Sequence, residues 1–205
     1  MKWLFFLLII MLALISGTIA IARQQPLPQV VTRLNLTECQ LPCWSGIVPG
    51  TTRIEDISPQ LTTRFNDSTG YTLDDGQASP MKSLLIRDNR TLYSITVDTY
   101  AVSTTTEIQY LWLYFVAPQK GEHLRVGDIV NLLGAPDLVS LQRGPDAVML
   151  LYAQQRVVIY VESRDCGILY PDQPVIVFQL QTDRPLASEH ELLKWHGFAR
   201  CYDDP

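Results

Sequence analysis

Short apolar runs, rich in β-branched and aromatic side chains, recur along the chain and predict β-strands. Polar pairs that favour turns, such as Asp88-Asn89 and Gln154-Gln155, bound these runs. Because the runs follow one another closely, consecutive ones are expected to pair as antiparallel meanders. They form two groups of three: 83–86, 91–97 and 107–116, followed by 147–152, 156–161 and 175–180.

A short helix is expected before each group of strands. Residues 52–57 and, 72 positions later, residues 124–129 share an arginine, a β-branched residue, an aspartate and an isoleucine at matching places. In the second copy, Asp128 lies in the first turn, where its charge suits the helix dipole, and Gly134 with Pro136 ends the helix. The echo therefore predicts two similar units in tandem.

These elements predict an α+β fold of two tandem units, each a helix followed by a three-stranded antiparallel meander. The units are expected over about 46–117 and about 118–181, with a C-terminal helix over about 186–194. Residues 66–80 carry glycine, aspartate and proline and predict the longest loop. The run 108–116 is apolar at odd and even positions, so this strand is expected to be central and covered on both faces.

The first 22 residues have the pattern of an export signal. Lys2 precedes an unbroken apolar run of 13 residues, 3–15, and a small-residue stretch ends in Ala20-x-Ala22, where a signal peptidase can cut. Residues 3–22 are uncharged, and 20 residues of helix at about 1.5 Å each match the core of a bilayer. The segment predicts either a signal peptide cleaved after Ala22 or a transmembrane signal anchor.

Both alternatives place the rest of the chain outside the cytoplasm. Residues 23–38 contain two prolines and no hydrophobic period, so they predict an extended spacer. The extracytoplasmic α+β domain is then expected over 39–205. The protein is expected at the cell membrane, held there through residues 3–22, if the segment is retained, and to be secreted if it is removed.

Four cysteines in an exported chain predict two disulfides. Cys39, Cys43, Cys166 and Cys201 allow three pairings, and the sequence does not choose among them. A Cys39–Cys43 bridge needs a tight turn, and Pro42 disfavours that turn by holding the preceding residue extended. Long-range bridges to Cys166 and Cys201 are therefore favoured.

The charge balance argues against nucleic acid as a partner. The chain carries 16 lysines and arginines against 21 aspartates and glutamates, which gives a net charge of -5. Binding to a phosphate backbone requires a basic surface, and this composition does not favour one.

No residue pattern predicts a catalytic, cofactor-binding or metal site, and no cofactor is expected. His190 and His196 are six residues apart, which turns them to different faces of a helix, whereas a zinc pair needs the i, i+4 spacing. Ser45 lacks the glycine frame of a hydrolase nucleophile. The candidate acid–base carboxylates lie in turns or in the tail, where aspartate is favoured for backbone hydrogen bonding. They are Asp74, Asp75, Asp137, Asp146, Asp203 and Asp204.

The aromatic residues are the stronger functional lead, because they exceed what one small core needs. Most are expected to fill the core, but several on one exposed sheet face would form a surface for binding protein or glycan. The candidates are Trp44, Tyr93, Tyr100, Tyr110, Trp112, Tyr114, Tyr152, Tyr160 and Trp195.

Residues 126–136 resemble the helix-and-turn signature of the BamE/SmpA-like family of small exported bacterial α/β domains, and residues 49–57 look like a degenerate second copy. The segment 39–50 is also similar to the openings of uncharacterised exported bacterial proteins. The family resemblance implies binding to other envelope proteins without catalysis, and it supplies no binding residues because the matched positions shape the helix and turn. Family members are typically single-unit lipoproteins, whereas the first cysteine here is Cys39. The matched positions are Asp128, Ile129, Leu133, Gly134 and Pro136.

The sequence therefore predicts a membrane-tethered or secreted extracytoplasmic module that binds protein, with an envelope protein as the expected partner. One alternative is an exported enzyme, a hydrolase whose site is assembled from scattered residues. Another is a structural protein whose only partner is itself. Histidines and carboxylates clustered around a pocket would favour the enzyme, and an aromatic sheet face would favour the binding module.

Overall fold

The fold is built on a single antiparallel sheet. The computed structural model describes residues 2–23, 29–65, 71–78, 81–88, 94–101, 106–116, 123–142, 147–162, 168–183 and 192–199. Nine strands lie within these residues: β1 Tyr71–Ala78, β2 Met81–Asp88, β3 Ser94–Ala101, β4 Ile108–Val116, β5 Leu138–Gln142, β6 Ala147–Tyr152, β7 Val157–Glu162, β8 Val175–Gln181 and β9 Leu192–Lys194. They pair in the order β1-β2-β3-β4-β8-β7-β6-β5-β9.

The helices in the described residues are α1 Lys2–Arg23, α2 Gln29–Arg33, α3 Ile57–Arg64 and α4 Val126–Leu133. A single 3-10 turn, Ile54–Asp56, leads into α3. The inward side chains of α3 and α4 belong to the main hydrophobic core, together with alternate residues of β2–β8. These two helices therefore cover one face of the sheet.

The prediction of two tandem helix-plus-three-stranded units is wrong, because the strands form one continuous sheet. β4 pairs with β8 in the middle of that sheet, with Trp112 opposite Gln179. Within the described residues, four strands follow α3 and five follow α4, rather than three each, since β1, β5 and β9 were not predicted. β1 lies within the expected loop 66–80 and carries Asp74, Asp75 and Gly76, which favour turns, but eight-residue pairing with β2 holds it extended.

The sequence similarity between residues 52–57 and 124–129 corresponds to a shared way of joining helix to sheet. Arg53 forms an isolated antiparallel bridge with Glu107, immediately before β4. Arg125 does the same with Pro174, immediately before β8. The repeated residues thus mark how each helix is attached to the one sheet.

The helix predicted around Asp128 is confirmed as α4. The Asp128 carboxylate accepts a hydrogen bond from the backbone N–H of Arg125 at 3.0 Å, which satisfies one donor at the helix start. Val126 and Ile129 are buried. The helix ends at Gly134, whose φ of 86° is readily adopted only by glycine.

Tyr152 ties β6 to the end of α4. It is buried, and its hydroxyl donates a hydrogen bond to the carbonyl oxygen of Gly134 at 3.2 Å. Burial, and after it the charge of Asp137, raise the pKa of Tyr152 above the ordinary value of 10.0. The folded protein therefore holds this proton more tightly than the unfolded chain does.

We expect the free energy of unfolding to decrease as the pH rises above about 10. The raised pKa of Tyr152 stabilises the folded protein fully at pH values below the pKa of tyrosine in the unfolded chain. This stabilisation is lost as the pH rises towards the pKa of Tyr152 in the folded protein. Urea unfolding across that range measures the slope, and Tyr152→Phe should make it shallower. Replacing the exposed Tyr170 with Phe is the matched control. An unchanged slope in Tyr152→Phe would contradict the assignment.

β4 is central in the sheet, as predicted, but only one of its faces is fully covered. Leu111 and Leu113 are completely buried in the core beneath the helices. Ile108, which strict alternation places on the opposite face, is also in the core. A β-bulge lies where Tyr100 and Ala101 of β3 pair with β4, so β4 contains one extra residue at this point. The extra residue shifts the alternation of side chains, and Ile108 therefore faces the core.

The spacer predicted over 23–38 contains structure. Residues 29–33 form α2, and Val31, Leu34 and Leu36 are buried in the main core. The indole N–H of Trp44 donates a hydrogen bond to the carbonyl oxygen of Leu34 at 2.6 Å. Apolar burial and this bond hold the segment against the domain, although its prolines suggested a linker.

A search of the described residues finds no helix both long and apolar enough to cross a membrane. Cleavage of a signal peptide after Ala22 stays a prediction.

The C-terminal helix expected over 186–194 is corrected at its end. Residues 192–194 form β9, which pairs antiparallel with β5, so that Leu193 lies opposite Val139. Leu193 packs against the main core. Residues 186–191 lie outside the described part of the chain.

The favoured long-range pairing of the cysteines is wrong for Cys39 and Cys43, which form a disulfide with each other. Their Cα atoms are 5.6 Å apart, within the usual span of a disulfide. The chain reverses between them: the backbone N–H of Cys43 donates to the carbonyl oxygen of Gln40, and the Leu41–Pro42 peptide is cis. Cys166 and Cys201 lie outside the described residues.

Candidate functional site

Five aromatic residues lie on the sheet face opposite α3 and α4, and we call this group the aromatic face. They are Tyr100 of β3, Tyr110, Trp112 and Tyr114 of β4, and Tyr160 of β7. All five are half-buried. The period of two along a strand places the three β4 residues on the same side, with Leu111 and Leu113 pointing into the core between them.

The rings of the aromatic face contact one another. Tyr110 and Trp112 are stacked, with ring centroids 5.3 Å apart and an interplanar angle of 17°. Tyr100 lies opposite Tyr110 in the register, and their centroids are 6.4 Å apart. Such pairs stabilise each other beyond their buried area, so the rings form a joined platform along and across the strands.

A ladder of side-chain hydrogen bonds borders this platform on β8. Gln179 lies opposite Trp112, and Gln181 lies opposite Tyr110. The hydroxyl of Tyr160 donates to Gln179 Oε1 at 2.9 Å, and Gln179 Nε2 donates to Gln181 Oε1 at 2.7 Å. Gln181 Nε2 donates in turn to the carbonyl oxygen of Asp183 at 3.1 Å. Because each amide in the ladder is partnered, the glutamines stay ordered although they are almost fully buried.

A carboxylate lies on the other side of the platform. Asp98 of β3 is opposite Trp112 of β4 and opposite Ser83 of β2. The hydroxyl of Ser83 donates to Asp98 Oδ1 at 2.6 Å.

Two tyrosines of the aromatic face have raised pKa values. Burial, and after it the charge of Asp98, raises the pKa of Tyr114. The pKa of Tyr160 is also raised, first by burial and then by Tyr114. Tyr114 and Tyr160 therefore hold their phenol protons more tightly than free tyrosine does.

The character of this sheet face changes from aromatic to aliphatic towards β5. Met149, Leu151 and Val158 form a second buried cluster, against which Leu138 and Tyr160 pack. Tyr160 thus contacts the aliphatic cluster and also bonds to the amide ladder.

The remaining predicted aromatics have other places in the fold. Trp44 and Tyr152 are fully buried in the main core. Trp195 packs against that core and meets Phe198 edge to face, with centroids 5.3 Å apart. Tyr93 lies outside the described residues.

The structure does not bring the candidate chemical groups together where it describes them. Ser45 is buried, and its hydroxyl has no hydrogen-bond partner in the described region. The Asp137 carboxylate accepts the backbone N–H of Ala153 at 2.7 Å, which is the turn role predicted for it. His196 is exposed. Several candidates lie outside the described residues: His190, Asp146, Asp203 and Asp204.

A search of the described residues for three or more histidine, cysteine, aspartate or glutamate side chains able to hold a metal ion finds no such group. Asp74 and Asp75, predicted in a loop, belong to β1.

Sequence reasoning missed Asp98, Gln179 and Gln181. The signal was present in both strands, since polar residues alternate with apolar ones over 94–98 and again over 178–181. Alternation of this kind indicates which residues share the face turned away from the core. Applied to β3 and β8, it would have placed these polar side chains beside the tyrosines.

No protein-family model matches the chain, and neither a curated protein nor a solved structure matches it.

Proposed function

We propose that this chain is an exported protein-binding module and that the aromatic face is its binding surface. The observation that carries the proposal is the stacked Tyr110–Trp112 pair, extended by Tyr100, on the sheet face opposite the helices. Tyrosine and tryptophan offer large contact area at a small cost in conformational entropy, and they are enriched among the residues that contribute most to protein binding.

The bordering polar groups support a protein as the ligand. The phenol groups of the half-buried tyrosines can pair with the backbone and side chains of a partner, as in tyrosine-rich binding surfaces. The hydrogen bonds from Tyr160 through Gln179 to Gln181 hold the side chains beside the rings in place before a partner binds. A preorganised surface loses less entropy on association, which favours affinity.

Export is supported by two features of the chain. Residues 2–22 have the pattern of a signal peptide. The disulfide between Cys39 and Cys43 suits an oxidising compartment. The resemblance of residues 126–136 to BamE/SmpA-like domains agrees with an envelope protein as the partner.

Photo-crosslinking in intact cells tests this function. A photoreactive amino acid replaces Tyr110 of the full chain in one variant and Thr62, exposed on α3, in the other. We expect position 110 to capture one stoichiometric protein, identified by mass spectrometry after purification through a C-terminal tag, and position 62 not to capture it. Capture of the same protein from both positions, or recovery of an uncrosslinked monomer from position 110, would contradict the proposal.

A further inference from the structure

Asp98 is a half-buried carboxylate beside the aromatic face. It accepts the Ser83 hydroxyl through Oδ1. Within the part of the chain that the structure describes, neither lysine nor arginine forms an ion pair with it. A partly desolvated carboxylate attracts a cation more strongly than one in bulk water, because the local dielectric is lower.

The rings beside Asp98 present a second feature that attracts cations. Trp112 lies directly opposite Asp98 in the register, and the stacked Tyr110 extends its π surface. The faces of aromatic rings carry partial negative charge, and a cation within about 6 Å of a ring centroid is attracted to them. Tryptophan is the best of the three aromatic residues for this interaction.

We propose that Asp98 and Trp112 together bind an arginine side chain of the protein partner. This inference rests on the proposed function and names the chemistry of its partner. A guanidinium is planar, so it can stack on the indole while its N–H groups donate to the carboxylate. Lysine offers the charge without the planar stacking surface.

The charge of the molecule agrees with a cationic partner. The chain has a net charge of -5, which favours approach of a basic surface. The charge of Asp98 also acts on the aromatic face, since it contributes, after burial, to the raised pKa of Tyr114. The neutral amides of Gln179 and Gln181, on the far side of Trp112, add no competing cation.

The test uses N-acetylarginine amide as the probe, titrated into the ¹⁵N-labelled full chain and followed by NMR. We expect saturable shifts at the Asp98 amide and the Trp112 indole N–H, weakened by added salt. The neutral N-acetylcitrulline amide, which has nearly the same shape, should bind about tenfold more weakly, and Asp98→Asn should weaken arginine binding by about the same factor. Asp172→Asn, which removes an exposed carboxylate elsewhere, is the matched control and should bind as the wild type does.

Equal binding of arginine and citrulline amides would overturn the inference, as would undiminished arginine binding by Asp98→Asn or tighter binding of N-acetyllysine amide. Crosslinking from position 110 distinguishes this failure from failure of the proposed function. If the Asp98→Asn chain still captures the partner and still binds the arginine probe, the protein-binding function stands and the arginine site does not. If the chain with native Asp98 captures no partner from position 110, the proposed function itself fails.

Discussion

Replacing Trp112 with alanine is expected to weaken binding of the captured partner by about 2–4 kcal/mol, the range of a dominant interface residue. Trp112 stacks on Tyr110 and lies between Asp98 and Gln179 in the register, so its removal takes away the centre of the aromatic face. The affinity of the full-length variant for the purified partner, measured by titration calorimetry, checks this prediction.

The control is Tyr170→Ala, which removes an exposed aromatic side chain from the loop that contacts the start of α4. This variant should bind the partner with wild-type affinity. Urea unfolding of Trp112→Ala should change much less than its binding does, because Trp112 is only half-buried. Equal loss of affinity in both variants, or none in Trp112→Ala, would contradict the role given to the aromatic face.

Trp44→Ala is expected to lower the free energy of unfolding by about 3–5 kcal/mol, as for other large aromatic side chains removed from a core. Trp44 is 1% exposed and stacks on Phe65 at a centroid distance of 5.7 Å. Its indole N–H is bonded to Leu34 O, so the substitution also removes a donor from a buried carbonyl. Urea unfolding of the full chain measures the change.

Trp44→Phe separates the two contributions. Phenylalanine keeps most of the packing against Phe65 but cannot donate to Leu34, so we expect a loss of about 1–3 kcal/mol. Both variants should also make the segment around α2 more accessible to protease, because Trp44 holds it in place. Wild-type stability in Trp44→Ala would show that the segment is not anchored as described.

The strands that sequence predicted best are those with continuous apolar and β-branched runs. Each of the six predicted runs is a strand over its described residues, while residues 91–93 of one run lie outside the described part of the chain. The helix α4 begins and ends where its acidic first turn and its glycine indicate. These elements carry their signal locally, in residues that touch one another along the chain. β1 does not, because it contains turn-forming residues and depends on its pairing with β2.

The joining of the strands into one sheet was not predictable from local pattern. The central pair of β4 and β8 brings together residues such as Tyr110 and Gln181, which are far apart in sequence. Nothing in the composition of either strand selects the other as its neighbour, since many apolar strands could pair equally well. Two groups of strands therefore looked like two units.

The sequence predicted an aromatic sheet face but did not predict which aromatic residues form it. Alternation alone puts Ile108 beside Tyr110, and the bulge opposite it moves Ile108 to the core. Trp44 and Tyr152 were equally good candidates from composition, and both are core residues. The short disulfide was missed for a related reason: Pro42 indicates only a local backbone preference, whereas the turn from Gln40 to Cys43 decides the pairing.

Hydroxyl-radical footprinting of the full chain, free and bound to the partner captured from position 110, tests the central claim most directly. Tyrosine and tryptophan side chains are oxidised according to their solvent exposure, so the method reports on the rings themselves. We predict that binding protects Tyr100, Tyr110 and Trp112 while Tyr170 is oxidised as before. Unchanged oxidation of Trp112 and Tyr110, with protection at Tyr170, would place the partner on the helix-bearing side and contradict the account.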